Sequence, residues 1–224
     1  MKFFFDTCGL EADIKECGMT GISIENPVMF RRLTESLWNQ SNGLDGELYI
    51  TCKDKAIKLN KDVCVIFNPY SIDLNEKKII NRVYSEMNDI TEQEYMLRKA
   101  DINSSIVTLL DEISEHLPYP LEYSLDLDFQ QLLKLYGVRI EMKDIELAER
   151  IVDYIRIAHQ VLGISVFIFV HFRDYFSNEE IRGFEEMASY EQVSLIMIEN
   201  RVELTGNEDE KWWIIDKDSC IIEI

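Results

Sequence analysis

Three carboxylates lie close together between residues 121 and 128, directly after two prolines: Glu122, Asp126 and Asp128. In an extended segment, Asp126 and Asp128 project to the same side. Ca²⁺ takes oxygen ligands, so two or three carboxylates on a bend could hold this ion. The spacing does not match an EF-hand loop. The residues alone favour a solvated acidic loop in which Asp128 caps a helix.

Basic residues are few and unevenly distributed. Four crowd one predicted hairpin and two further groups mark helix faces: Lys53, Lys55, Lys58 and Lys61; Arg31 and Arg32; Lys77, Lys78 and Arg82. One interpretation is an ordinary solubilising surface. The other is a set of phosphate contacts, because a phosphate site needs positive charge and reads no base sequence. No stacking aromatics are interleaved with these residues, which disfavours single-strand binding.

Signatures of nucleotide or hydrolytic chemistry are missing from the sequence. There is no G-x-x-x-x-G-K-[ST] and no G-x-G-x-x-G, so no Gly-rich loop can enclose a phosphate. Neither a G-x-S-x-G elbow nor an H-E-x-x-H motif is present. His171 follows a predicted buried strand, with Asp174 three residues later, and we interpret it as a histidine satisfied at a strand end. ATP hydrolysis is therefore not expected.

The net charge, the cysteine count and the lengths of the apolar runs exclude several classes of protein. The chain has 224 residues, and 23 Lys and Arg against 42 Asp and Glu make the formal net charge −19. A monomer with this net charge is not expected to coat nucleic acid, because duplex DNA repels a net anion. Five cysteines without a C-x-x-C pair favour reduced thiols in a cytoplasmic protein. No apolar run reaches the roughly 18 residues of a membrane span.

The elements that must position these residues begin as strand, helix and strand. Residues 21–25 form a predicted strand, and Asn26 is the predicted N-cap of a helix to about residue 40 that faces Trp38 inward. Two short strands and a buried strand at 62–67 come next.

Residues 73–136 have a helical pattern, which predicts an insertion into an α/β domain. Asp73 with Glu76, and Thr91 with Glu94, have capping-box spacing. Two apolar stripes accompany them: Ile79, Ile80, Val83 and Met87, and then Ile106, Leu109, Leu110 and Ile113.

The last third alternates strands with helices, which is typical of parallel βαβ units. The predicted elements are a strand at 138–142, a helix from Asp144 to Gly163, a strand at 164–172, a helix opened by Ser177 and Glu180, a strand at 193–198 and a hairpin of 212–215 with 220–224. The predicted fold class is α/β with a mostly parallel sheet and an inserted helical domain.

Several segments follow one another in a specific order. They are ISIEN at 22–26, VCVIF at 63–67, IDLN at 72–75, LLKLYGVRIE at 132–141, FIFV at 167–170, FSNEE at 176–180, LIMIENR at 195–201 and WIID at 213–216. In this order and apolar pattern, the chain resembles the type II-A CRISPR-associated adaptation proteins. That family consists of ring-forming, calcium-dependent proteins that bind the ends of double-stranded DNA.

This resemblance implies an α/β head domain of residues 1–72 and 138–224, similar to a P-loop ATPase that has lost nucleotide binding, and a helical leg domain of residues 73–137. It implies a homotetrameric ring with a lysine-lined channel, bound Ca²⁺ and no enzymatic activity. The integrase and the effector nuclease of the same CRISPR locus are the implied partners. The family's acidic metal-binding stretch precedes the matching Leu-x-Lys-x-x-Gly-Val segment, which favours Glu122, Asp126 and Asp128 as calcium ligands.

A ring also reconciles the negative charge with DNA binding. Salt limits the reach of each charge to about 8–10 Å, so a lysine-lined channel can be positive inside an acidic protein. A closed ring loads only over a free end. We therefore predict a non-catalytic DNA-end clamp for spacer acquisition. The alternatives are a metal-dependent phosphoesterase using the three carboxylates and an acidic adaptor that binds only protein.

Overall fold

The computed structural model describes residues 1–53, 55–141, 145–202 and 211–224. The chain divides into two compact units, Met1–Asp73 with Asp144–Ile224, and Leu74–Lys143. We call the first the sheet unit, because it contains the described strands, and the second the helical unit. The predicted fold class, α/β with a mostly parallel sheet, is confirmed.

Two sheets form the sheet unit. Their described strands are β1 (Lys2–Phe5), β2 (Leu10–Asp13), β3 (Gly18–Ile24), β4 (Leu48–Cys52), β5 (Lys55–Ile57), β6 (Val63–Ile66), β7 (Val166–Val170), β8 (Ser194–Glu199), β9 (Trp212–Ile215) and β10 (Ile221–Glu223). The larger sheet has the order β10-β9-β3-β8-β7-β6, in which the β9–β10 pair is antiparallel and the other pairs are parallel. The smaller sheet, β2-β1-β4-β5, is antiparallel.

The described helices are distributed over both units. The sheet unit contains α1 (Pro27–Ser41), α2 (Leu59–Asp62), α6 (Leu147–Leu162) and α7 (Asn178–Tyr190). The helical unit contains α3 (Lys77–Glu94), α4 (Met96–Ser114) and α5 (Phe129–Leu135). None of these helices is both long and apolar enough to cross a membrane.

Strand β3 lies inside the parallel sheet, and all seven of its residues are buried. It pairs with β8 on one side and with β9 on the other. Both faces of such a strand are covered, which is why it and β8 are not patterned with alternating polar residues. Phe3 of the smaller sheet, Ile22 of β3 and Leu33 of α1 belong to one buried apolar cluster.

Two predictions about apolar segments are wrong. Trp38 is 58% exposed, because Leu33 and Leu37 define the core-facing side of α1 and Trp38 lies one helical step beyond it. Residues 138–141 form no strand; Met142 lies outside the described residues. The backbone there bonds to side chains of its own unit: the Tyr84 hydroxyl donates to the Val138 carbonyl at 2.8 Å, and the Ile140 N–H donates to Asn75 at 2.8 Å.

Helix boundaries follow local signals in some places and not in others. The predicted start at Ser177 is confirmed, since Ser177 and Glu180 form a complete capping box. The two earlier boxes are wrong: α3 begins at Lys77 without a side-chain cap, and Thr91 lies inside it, donating to the Met87 carbonyl at 2.8 Å. The predicted cap Asp144 lies outside the described residues, and Gly163 ends α6 with a φ of 71°.

Candidate nucleic-acid interface

Three neighbouring elements of the sheet unit carry most of the predicted DNA-binding residues. Helix α1 begins where the sequence analysis places it, because the Asn26 side chain accepts the N–H groups of Val28 and Met29, at 3.0 and 3.3 Å. α1 packs against α2 and against β4. These helices and the β4–β5 hairpin therefore form one connected part of the sheet unit.

Six exposed cations occupy this part of the molecule, and we call them the basic surface: Arg31, Arg32, Lys53, Lys55, Lys58 and Lys61. Lys53 lies in the hairpin turn with a φ of 48°, and Lys55 begins β5. Lys58 is instead the N-cap of α2, with its N–H donating to Asp62 at 3.0 Å, and Lys61 lies within this helix. The prediction that all four lysines crowd one hairpin is wrong for these two, because a short helix follows β5.

None of the basic surface residues forms a salt bridge with a carboxylate of residues 1–53, 55–141, 145–202 or 211–224. Elsewhere in the described chain, several cations do form them: Lys2, Lys15, Arg82, Lys99, Arg156, Arg201 and Lys211. A cation paired with a carboxylate loses much of its long-range field. The six cations are thus not neutralised by a direct ion pair within the described chain, although the exposed acids Glu35 and Asp62 lie on the same elements, α1 and α2.

Glu16 is a carboxylate that feels the charge of the basic surface. A hydrogen bond from the N-terminal ammonium of Met1, at 3.0 Å, and the charge of that ammonium lower the pKa of Glu16. The charge of Lys53 lowers this pKa further, to a smaller extent. Glu16 and Lys53 are both exposed, so salt screens their attraction.

The remaining predicted cations lie in the helical unit, near the start of α3. Lys77, Lys78 and Arg82 are exposed. Arg82 Nε is 3.4 Å from a carboxylate oxygen of Glu86, one helical turn later. An exposed pair at this spacing contributes little stability, but it partly neutralises the arginine. We therefore regard Arg82 as the weaker candidate for a phosphate contact.

The three predicted calcium ligands lie in the non-helical segment between α4 and α5, and all are exposed. Asp128 is the N-cap of α5, since its carboxylate accepts the Gln131 N–H at 3.1 Å. Among the residues that the structure describes, no group of three or more His, Cys, Asp or Glu side chains could hold a metal ion. Glu122, Asp126 and Asp128 therefore do not form an assembled site here, and the calcium site stays a prediction.

Asp126 lines a cleft of about 320 Å³ in the helical unit, together with Glu92, Lys99 and Asn103. Lys99 forms an ion pair with Glu92. Asn103 donates its side-chain amide to the Leu125 carbonyl at 2.7 Å. The Lys99 ammonium already neutralises one of the two carboxylates, which disfavours a divalent cation in this cleft.

The carboxyl edge of a parallel sheet is where P-loop proteins hold phosphate, in the loop between a strand and the next helix. In this chain β3 is joined to α1 by Glu25 and Asn26 alone. The Asn26 side chain occupies two N–H groups at the helix start, and Pro27 has none to offer. This connection of two residues contains no glycine and is too short to close around a phosphate.

Charged side chains fill the adjacent part of this edge. Glu199 ends β8 beside Ser23 of β3, and it is 3% exposed. Its carboxylate accepts the Arg173 N–H at 3.0 Å, and burial raises the pKa of Glu199 to about 7. His171 Nδ1 lies 3.6 Å from Asp174 and 3.9 Å from Glu199. An ionised Glu199 at this position repels phosphate.

Aromatic rings pack around these charged groups. Phe30 of α1 contacts the His171 ring at a centroid distance of 4.8 Å, and the Arg173 guanidinium lies 5.3 Å from the centroid of the Trp212 ring. His171 has a φ of 56°, in the left-handed region. The sequence points to His171 but not to Glu199, whose only sequence signal is that it is an acid at the end of the apolar run 195–198.

A family model described as "CRISPR-associated protein (Cas_Csn2)" matches residues 40–219. The chain belongs to the Csn2 family. A curated relative, the CRISPR-associated protein Csn2 of Streptococcus agalactiae, is 22% identical over 176 residues, which cover 76% of this chain and 75% of the relative. The family predicted from the order of segments is thereby confirmed, and Csn2 membership supports a CRISPR-associated role.

The fold of this Csn2 protein is similar to that of a component of an ABC transporter complex. The structure of cbiO1 from Clostridium perfringens, part of the complex cbiONQ, matches with a TM-score of 0.51 and 13% identity, covering 96% of this chain and 79% of that one. At this identity the likeness concerns the fold alone. The predicted resemblance to a P-loop ATPase fold is confirmed.

Proposed function

We propose that this Csn2 protein is a non-catalytic clamp that binds the ends of double-stranded DNA and assists CRISPR spacer acquisition. The observation that carries the proposal is the basic surface. Its six exposed cations have no salt bridge within the described part of the chain, although the net charge is −19. Phosphate contacts require positive charge and no particular base, so this surface suits binding that ignores sequence.

A homotetrameric ring, which the resemblance in the sequence implies, would gather the basic surfaces of four chains on the wall of one channel. The acidic exterior of such a ring repels DNA. Salt limits the reach of each charge to about 8–10 Å at physiological ionic strength, so the exterior acids do not cancel the cations on the channel wall. The channel is then the favourable place for a duplex. A closed ring admits DNA only through a free end, so end specificity follows from topology.

The proposed clamp performs no chemistry itself and works beside the integrase and the effector nuclease of its locus. The short β3–α1 connection supports a role without nucleotide, because it lacks a phosphate cradle. A phosphoesterase using Glu122, Asp126 and Asp128 gains no support, since the described residues include no assembled group of ligands. Calcium remains a prediction, and the proposed DNA contacts are made by the cations alone.

A gel-shift comparison of linear and covalently closed circular DNA of one sequence tests the clamp, with Ca²⁺ in one series and a chelator in the other. We expect the linear form to be bound and the closed circle to be excluded. Equal affinity for both forms overturns threading. Shortened DNA after incubation with Mg²⁺ or Mn²⁺ overturns the non-catalytic assignment, and identical binding in both series removes the calcium dependence.

A pair of variants tests the basic surface itself. Lys55→Ala with Lys58→Ala removes two of its charges, and we expect affinity for linear DNA to fall on the order of tenfold or more. Arg182→Ala with Lys217→Ala is the matched control, because both residues are exposed and lie outside the basic surface. An equal loss of affinity in both variants shows a bulk charge effect and contradicts the proposed contact surface.

A further inference from the structure

Trp38 is a large aromatic residue held at the surface of α1. The sequence alone predicts it in the core, but it is 58% exposed. Its ring makes a T-shaped contact with the Phe67 ring, at a centroid distance of 5.7 Å. Phe67 directly follows β6 and packs against the buried apolar cluster. The indole is therefore attached to the core through Phe67, while more than half of the residue stays open to solvent.

The face of α1 that carries Trp38 also carries a cation of the basic surface. Arg31 precedes Trp38 by seven residues, or about two helical turns, so both side chains lie on the same face. Side chains of a helix lean toward its N-terminus, which favours an indole inclined toward Arg31. Arg31 is exposed and has no salt bridge within the described part of the chain. A stacking aromatic thus does accompany the cations, contrary to the expectation from the sequence.

An exposed indole beside a guanidinium suits an unpaired nucleobase and its phosphates. Bases stack on aromatic rings whatever their identity, and a guanidinium binds phosphate without reading sequence. A paired base inside a duplex has neighbours on both faces, so an unpaired base at the end of a strand is the one that can reach the ring. Along the helix axis, Arg31 and Trp38 are about 10 Å apart, which corresponds to about three nucleotides at 3.4 Å each. One strand can therefore contact both residues.

The charges around the ring favour DNA over a protein partner, although tryptophan is also enriched in protein interfaces. Arg31 and Arg32 belong to the basic surface, which attracts a polyanion. Glu35 is an exposed acid of this face and lies between Arg31 and Trp38 in α1. A strand in contact with both residues therefore passes the Glu35 carboxylate, and its removal should favour binding.

We propose that Trp38 stacks on an unpaired base at the end of a DNA strand, while Arg31 contacts a phosphate of the same strand. The proposal rests on the proposed function and adds a preference to it. The clamp holds an end with a single-stranded overhang more tightly than the same end without the unpaired bases. The aromatic ring supplies this preference, and the cations supply the affinity that all linear duplexes share.

Two duplexes that differ only in the bases of the overhang provide the test. Both carry a two-nucleotide overhang, which has normal bases in one duplex and abasic residues in the other, so the phosphates are identical. We expect the wild-type chain to bind the duplex with bases about fivefold or more tightly. Measurements on 3′ and 5′ overhangs show which strand is held. Equal affinity for the two duplexes, on both kinds of overhang, overturns the stacking.

Variants of Trp38 connect this preference to the ring. Trp38→Ala should remove the preference for the duplex with bases, and Trp38→Phe should keep part of it, because a phenyl ring still stacks. The matched control is Tyr190→Ala, which removes an aromatic side chain of 82% exposure from the end of α7. The readout is a ratio of affinities within one protein sample, so partial unfolding does not change it. A preference that survives in Trp38→Ala contradicts the proposal.

Tryptophan fluorescence gives an independent readout, since the chain has three tryptophans and Trp212 is fully buried. The duplex with bases should quench the wild-type fluorescence more than the abasic duplex does, and this difference should vanish in Trp38→Phe. The same difference in both proteins would assign the quenching to another tryptophan and overturn the contact.

Glu35→Gln tests the path of the strand. It removes a negative charge beside the proposed phosphate contact, so affinity for the overhang duplex should rise about twofold or more. Glu179→Gln, at an exposed position of α7, is the control for the change in net charge. An equal gain in both variants contradicts a strand that crosses this face of α1.

Two further outcomes separate this contact from the clamp and from subunit assembly. Exclusion of closed circular DNA together with equal affinity for the two overhang duplexes would uphold the clamp and overturn the stacking. Equal binding of linear and closed DNA with the preference intact would overturn threading alone. The mass in solution, measured by light scattering, should be the same for Trp38→Ala and the wild-type chain. A changed mass would show that a second copy covers the ring and would overturn the proposal.

Discussion

Glu199 is an acid in a place that disfavours negative charge. It ends a strand whose six residues are all buried, and burial raises its pKa to about 7. The N–H and the guanidinium of Arg173 act in the opposite direction, and the charge of Asp174 adds to the rise. His171 is the neighbouring base, 3.9 Å away. The proton on Glu199 therefore matters for the stability of the carboxyl edge of the sheet.

The raised pKa predicts a dependence of stability on pH. Below a pH of about 4.5, Glu199 is protonated in both the folded and the unfolded chain. Its contribution to the free energy of unfolding is then fully present. Between about 4.5 and about 7 the unfolded chain releases this proton first, so the free energy of unfolding falls as pH rises. The loss is on the order of 3 kcal/mol over this window.

Urea unfolding at pH 5 and pH 8 measures this loss, with Glu199→Gln as the variant that cannot ionise. We expect the wild-type chain to lose more stability between the two pH values than this variant does. Glu186→Gln, at an exposed position of α7, is the control and should follow the wild-type chain. Parallel behaviour of the wild-type chain and Glu199→Gln would contradict the buried ionisation.

At the scale of elements, the packing of β3 against β9 depends on a missing side chain. Gly21 pairs in register with Trp212, and a Cβ added to Gly21 would lie 2.3 Å from the Trp212 ring. The ring is fully buried, and interiors are close-packed, so a shift of the ring would displace its neighbours. Glycine is therefore required here for contact between two strands.

Gly21→Ala should lower the free energy of unfolding by about 1–3 kcal/mol, because an overpacked core shifts its neighbours. Gly183→Ala is the matched control, since an added Cβ in α7 meets nothing within 4 Å. Because Gly183 is exposed inside a helix, this change should raise stability by up to about 1 kcal/mol. The midpoints of urea unfolding measure both changes, and a loss of stability in both variants would contradict the close approach of β3 and Trp212.

At the scale of the whole molecule, the decisive quantity is where the positive charge lies. For the proposed function, a chain of net charge −19 must bind DNA through a local excess of cations, and the basic surface is the proposed location of that excess. Each neutralised phosphate releases counterions, so the binding constant falls with salt by a slope of about 0.9 for each contact on a logarithmic plot.

The salt dependence of the proposed binding to linear DNA therefore gives the number of phosphate contacts. Removing Lys55 and Lys58 together should reduce the magnitude of this slope by about 2, because two phosphate contacts are lost. The Arg182→Ala, Lys217→Ala control should keep the wild-type slope. Titrations over a series of NaCl concentrations measure it, and an unchanged slope in the lysine variant would show that these residues do not touch phosphate.

Much of the fold could be predicted because its signals are local. Asn26 before Pro27 marks the start of α1, and Gly163 marks the end of α6. Apolar runs with no polar alternation indicate buried parallel strands such as β7 and β8. The predictions failed where a distant partner decides the outcome: Asn75 and Tyr84 take the backbone bonds that residues 138–141 would need for a strand.

The candidate site was predictable only as a list of residues. The sequence identifies the cations at 31, 32, 53, 55, 58 and 61, but not that they lack carboxylate partners within the described chain. Asp128 illustrates the same limit, since one carboxylate suits both a metal ion and a helix cap. The structure uses it as the cap.

The sequence by itself determined the family, the α/β class and the order of most elements, because periodicity and capping act over a few neighbouring residues. Only the tertiary structure decided that Glu199 is buried beside β3, that Gly21 meets Trp212 and that no residue of α4 is buried. Each of these features joins residues far apart in the chain, or depends on what the rest of the described chain leaves uncovered. Burial and pairing are properties of the packed chain, and no local pattern of residue types contains them.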